Sequence, residues 1–121
     1  MATLYPTHTC FDDSLDLLAE LASRAHDHSS LRLVHALCKP KGGELHSHAW
    51  VEDIKSNLVA TVVIMKGERE KIVMPKSKFY KFFNPVDITR YTVQQACDQN
   101  LEHFNYGPWE DRYLKGCRDA S

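Results

Sequence analysis

A cysteine at the head of a predicted helix and a histidine on a predicted strand are the residues whose types and order suit a joint chemistry. Cys10 begins Cys10-Phe11-Asp12-Asp13-Ser14-Leu15-Asp16-Leu17-Leu18, and His48 opens His48-Ala49-Trp50-Val51-Glu52. A thiol attacks as its thiolate; an ordinary cysteine titrates near about 8.5, and the partial positive charge at a helix amino end lowers that value. Asp12 and Asp13 act in the opposite sense, because a nearby carboxylate disfavours a second anion, so an imidazole partner becomes necessary. His48 is the candidate base, provided that a strand beside the helix start holds it within about 4 Å of the sulfur. Placement of the two on opposite sides of the fold would leave residues 48–52 as a packing motif.

The surroundings of that pair offer further candidates. Trp50 and Glu52 share a strand face with His48, since alternate residues point the same way. Trp50 could shield the imidazole from water, and Gly107-Pro108-Trp109 could cover a nearby groove, which makes Trp50 and Trp109 the candidate substrate-binding residues. The plainer readings are core packing for Trp50 and an aromatic staple for Trp109. His46, His48 and Glu52 also form an H-x-H-x-x-x-E pattern on one face, a divalent-metal alternative that resembles the first metal motif of cupins. A cupin needs a many-stranded jelly roll and normally a further histidine, whereas both ends of this chain read helical and His103 lies on a predicted helix. His35 and Cys38 fall on opposite faces of their strand. No metal is therefore expected, and no nucleotide loop or flavin motif points to another cofactor.

The elements that must position these residues follow from periodicity and punctuation. Apolar residues at helical spacing predict a helix over about residues 10–26, with Thr9 as its cap. His26 to Ser30 reads as a loop, Leu31 to Cys38 as a buried strand, and Lys39-Pro40-Lys41-Gly42-Gly43 as a turn. Strands follow over about Leu45 to Asp53 and Leu58 to Met65, the latter rich in Val and Ile, with Gly67 marking the next turn. A short strand is expected near Ile72 and Val73, a helix from Pro75 through Phe83 ended by Asn84-Pro85, and a helix over Thr89 to His103 with Thr92 as a cap and Val93, Ala96, Cys97, Asn100 and Leu101 inward. From Gly116 onward the chain reads as a frayed tail.

Cysteine at a helix head, then Leu31-Arg32-Leu33-Val34, then His48-Ala49-Trp50-Val51-Glu52 resembles the core of the transglutaminase-like branch of papain-like cysteine enzymes, over about residues 9–65. The resemblance implies Cys10 as nucleophile, His48 as base and a downstream aspartate that orients the imidazole. The stretch Leu58-Val59-Ala60-Thr61-Val62-Val63-Ile64-Met65 holds no carboxylate, so Thr61, Asn57 or Asp53 would have to serve. Leu33-Val34-His35, the 48–52 motif, the Tyr80 region and Tyr106-Gly107-Pro108-Trp109 also resemble a small uncharacterised bacterial and phage protein family. The resulting expectation is an α+β fold: an N-terminal helix packed on a small antiparallel sheet, with C-terminal helices. The expected function is thiol-dependent hydrolysis of an amide or peptide-like substrate by Cys10 and His48. The alternative is a noncatalytic interaction protein of the same fold that binds a protein partner.

Bulk properties exclude other classes. The chain has 121 residues, 43% hydrophobic and 26% charged, enough for one compact domain spanning 1–121 with a core over about 9–110. A formal net charge of -1 gives no electrostatic reason to expect nucleic acid or an acidic membrane surface, and Lys66, Arg69, Lys71, Lys76, Lys78 and Lys81 read as a solvated face. No signal-peptide pattern or long apolar run is present, so a cytoplasmic protein with no membrane partner is expected. Cys10, Cys38, Cys97 and Cys117 include no C-x-x-C pair and should be reduced thiols. Composition is silent on oligomeric state.

Overall fold

In a computed structural model of the chain, residues 5–6 and 10–117 are described, with side chains for 10–114. Thr9, the expected helix cap, and residues 118–121 of the expected tail lie outside the described residues. In chain order the elements are β1 (Tyr5–Pro6), α1 (Cys10–Arg24), β2 (Leu31–Cys38), β3 (His46–Asp53), β4 (Leu58–Met65), β5 (Glu68–Pro75), α2 (Lys76–Phe83), β6 (Pro85–Tyr91), α3 (Val93–His103) and α4 (Asp111–Cys117). The architecture is α+β, as expected. Five strands form an antiparallel sheet in the order β6-β2-β3-β4-β5, and β1 pairs with β4 at Val63 and Ile64, beyond the point where β3 leaves it.

Local chemistry sets the turns that hold this register. Asp53 Oδ1 accepts hydrogen bonds from the N–H groups of Lys55 (2.9 Å) and Ser56 (3.4 Å), and Asn57 follows at φ 58°, so β3 reverses into β4 through a self-capped turn. Met65 pairs with Glu68, leaving Lys66 and Gly67 as a two-residue loop with φ of 53° and 81°. Positive φ at both positions matches the right-handed strand twist, and glycine adopts it without a Cβ penalty.

Helices cover both sheet faces. On one, α1 lays Leu17 and Leu18 against Leu31, Leu33, Val51 and Val62, and Ala96 of α3 joins that cluster. Asp12 and Asp13 in the first turn of α1 and Arg24 in its last favour the helix dipole. On the other face, Phe79 and Phe83 of α2 pack on Val34, Ala36, Cys38, Trp50 and Val59. The sheet is therefore the middle layer, and β3 is buried almost throughout.

Several boundaries differ from expectation. The first helix ends at Arg24, and β5 runs eight residues rather than a short piece around Ile72. Thr89 lies on β6, not in a helix; α3 starts after Thr92, whose side chain accepts from Gln95 N–H (3.1 Å) while Gln95 Oε1 accepts from Thr92 N–H (2.9 Å). Within α3 only Ala96 is buried, and Cys97 and Leu101 face outward. Gly116 and Cys117 belong to α4 rather than to the expected tail. Among the described residues no helix is long and apolar enough to cross a membrane.

Candidate functional site

Cys10 is the first residue of α1 and packs with Phe11 against Ala49 of β3. Ala49 points toward α1, so His48, its neighbour on the strand, points the other way. The His48 ring stacks on Phe83 (centroids 4.8 Å apart, planes at 25°) and lies 6.0 Å from Phe79, both on α2. The sheet thus stands between the thiol and the imidazole, and the expected Cys10–His48 pair is not formed. His48 is completely enclosed; burial, helped by neighbouring His46, pushes its pKa down to about 3 and keeps it neutral.

The expected orienting groups do not reach His48 either, since neither ring nitrogen has a hydrogen-bond partner. Asp53 caps its own turn; the Asn57 carbonyl accepts from Lys76 N–H (2.9 Å), and buried Thr61 Oγ1 has no partner. Trp50 is wholly inside the core and cannot meet a substrate. The metal alternative fails on geometry. Trp50 intervenes between His48 and Glu52 on the same face, and the Glu52 oxygens are engaged by Trp50, Tyr80 and Arg90. Among the described residues no group of three or more His, Cys, Asp and Glu side chains could hold a metal ion.

Glu52 organises a buried polar cluster on this face. Only 1% exposed, its carboxylate accepts from Trp50 Nε1–H (2.9 Å), from Arg90 Nε–H (3.0 Å) and from the Tyr80 hydroxyl, and Lys76 Nζ lies 3.9 Å away. Burial alone would raise the Glu52 pKa; the bonds from Tyr80, Trp50 and Arg90 outweigh it and hold the group below its ordinary value. Burial, then the bond to Glu52, pushes Tyr80 up, so the phenol stays protonated and donates. Tyr80 was noted in the sequence only as part of a motif, and Arg90 not at all, because nothing along the chain signals that β3, α2 and β6 meet at one carboxylate.

On the α1 face a second histidine is enclosed by rings. His35, the cross-strand partner of Ala49, packs against Phe11 (4.7 Å), Tyr91 (5.1 Å) and Trp109 (5.0 Å), with no hydrogen bond to either nitrogen, and burial pushes its pKa down to about 3. Trp109 Nε1–H donates to the Asn105 carbonyl (3.1 Å) while its ring covers His35. It acts as a staple for the segment before α4 and lies across the sheet from His48.

A groove of about 610 Å³ opens at the sheet end, where the β3–β4 turn, the end of β5 and the first turn of α2 meet. Asn57, Leu58, Pro75, Lys76, Ser77 and Tyr80 line it. Glu52 braces Tyr80 and Lys76 from behind. No protein-family model matches this sequence, and no curated protein or solved structure matches it.

Proposed function

We propose that this protein is a noncatalytic interaction protein, built on the plan of the transglutaminase-like and papain-like enzymes, in which Cys10 and His48 do not work as a pair. The observation that carries this reading is the placement of Cys10 and His48 on opposite faces of one sheet. Acyl transfer to a thiol needs a base that takes the sulfur proton and then returns it to the leaving amine, within about 3 to 4 Å of both. Stacking on Phe83 holds His48 away from any such position. The rest of the motif has structural employment: Ala49 packs on Cys10 and Phe11, Val51 enters the α1 cluster, and Trp50 donates to Glu52.

The test is a panel of fluorogenic peptide amides and a peptide thioester, assayed with the wild-type protein and with Cys10→Ala. The interaction reading expects no rate above buffer that Cys10→Ala removes. Hydrolysis lost in that variant and reproduced by independent preparations would overturn it.

A further inference from the structure

His48 is held where a charged imidazole has nothing to meet. It lies between the sheet and α2, its ring stacked on Phe83 and beside Phe79, and among the described residues neither nitrogen has a hydrogen-bond partner. The groups around it supply no counter-ion. On its own strand His46 is the titratable neighbour, with ring centroids 6.2 Å apart, while Glu52 on the same face is engaged by Trp50, Tyr80 and Arg90. On β2, Ala36 stands opposite His48, and Cys38, whose thiol burial keeps protonated, stands opposite His46. β4 contains no titratable residue, and α2 contains three lysines and a tyrosine but no acid. A proton on His48 would therefore be a buried charge without a partner, and burial holds the pKa of the closed form at about 3, against an ordinary value of 6.5.

The element that covers His48 is a thin one. α2 has eight residues, and a helix of about two turns does not persist in water without a surface to pack on. No side chain caps its start, which is fastened by the Lys76 N–H on the Asn57 carbonyl (2.9 Å); beyond its end, Asn84 and Lys39 exchange two hydrogen bonds of 3.1 and 3.0 Å. Between these ends it is held by Tyr80 on Glu52 and by Phe79 and Phe83 on the sheet. The core of the other face, with Leu17 and Leu18 of α1 at its centre, contains no α2 residue, so α2 can leave with that core intact. We propose that α2 is an acid-released latch: protonation of His48 lifts this helix from the sheet while the α1 face stays folded. Trp50, Phe79 and Phe83 then meet water together. His35, the other enclosed histidine, lies on the opposite face under Phe11 and Trp109, so opening of α2 leaves it covered. The proposal concerns the hold on one helix and does not depend on the interaction reading above.

Native-state amide hydrogen exchange of the full chain, read residue by residue by NMR from pH 7 to about pH 5 and corrected for intrinsic rates, tests this. The amides of Lys81, Phe82, Phe83 and Asn84 are expected to be less protected than those of β2 and β3 throughout. Their protection should fall about 25-fold over that range, the ratio given by one site of pKa 6.5 in the open form and about 3 in the closed one. His48→Leu should abolish the fall and His35→Leu should leave it in place, whereas strand amides, which exchange through unfolding of the whole chain, should respond to both histidines. Equal protection of α2 and the strands with one shared pH dependence would overturn the proposal, since the helix would then open only with the whole fold. A protection of α2 that does not change with pH, or a fall that persists in His48→Leu, would overturn it as well. Should His48→Leu not fold, the size of the fall in wild type and its persistence in His35→Leu make the same decision.

Discussion

Glu52 on β3 and Arg90 on β6 form a 3.0 Å charge-assisted hydrogen bond across the intervening strand β2. The same carboxylate receives Tyr80 from α2, so one buried charge fastens a helix and an edge strand to the centre of the sheet. An amide in place of the carboxylate removes the charge and turns one of its two oxygens into an NH2 group, which faces donors where it should accept. Glu52→Gln is expected to lower the unfolding free energy by about 3 kcal/mol and to speed amide exchange in α2, both measurable by urea denaturation and hydrogen exchange. A loss below about 1 kcal/mol would show that the cluster is not a structural clamp.

Acid should destabilise the fold before most carboxylates titrate. His35 and His48 have an ordinary value of 6.5 and are held near about 3 by burial, so between those values the unfolded chain binds protons that the folded one refuses. Their contribution is complete above pH 6.5 and falls as pH drops toward 3, with a slope approaching about 1.4 kcal/mol per pH unit for each histidine. Urea midpoints taken from pH 7 down to about 5 should show this decline, and His48→Leu should roughly halve it. An unchanged slope in that variant would mean that His48 is protonated in the folded state.

Gly107 is required for the fit of the segment over His35. Its φ is +99°, and a Cβ there would stand 2.7 Å from His35 Cε1. Gly107→Ala is therefore expected to cost about 2 kcal/mol or more and to shift the emission of Trp109 as the staple lifts. Wild-type stability and fluorescence would contradict the close approach.

The metal alternative has its own check. His46, His48 and Glu52 do not converge, so purified protein is expected to carry no stoichiometric Zn, Mn, Fe or Ni, and a chelator should leave its thermal midpoint unchanged. Stoichiometric metal that disappears in His46→Ala would reverse that conclusion.

Much of the framework was legible: the bounds of β2 and β4, the start of α1 at Cys10, and α2 through Phe83 followed from period and punctuation. The full length of β5 is not legible because Glu68, Arg69, Glu70 and Lys71 show no apolar alternation; Arg69 and Lys71 instead pair with acids of α1. Thr89 reads as helical because the Thr92–Gln95 box, which marks the true start, lies only three residues on. The decisive ambiguity lay in β3. Both of its faces are buried, so hydrophobic alternation could not say whether His48 or Ala49 faces α1, and a shift of one residue exchanges the faces. Glu52 was legible as a polar residue in a buried strand, but its partners Tyr80 and Arg90 come from elements whose meeting is a tertiary fact.

The most direct test of the separation between Cys10 and His48 is competitive alkylation. Limiting iodoacetamide followed by peptide mass spectrometry would compare Cys10 with Cys38, Cys97 and Cys117, in wild type and in His48→Ala, across pH 6 to 9. The expected result is that exposed Cys97 reacts faster than buried Cys10, and that the pH profile of Cys10 is the same in both proteins. Preferential labelling of Cys10 with a profile displaced by His48→Ala would show that thiol and imidazole communicate, and would contradict their placement on opposite faces of the sheet.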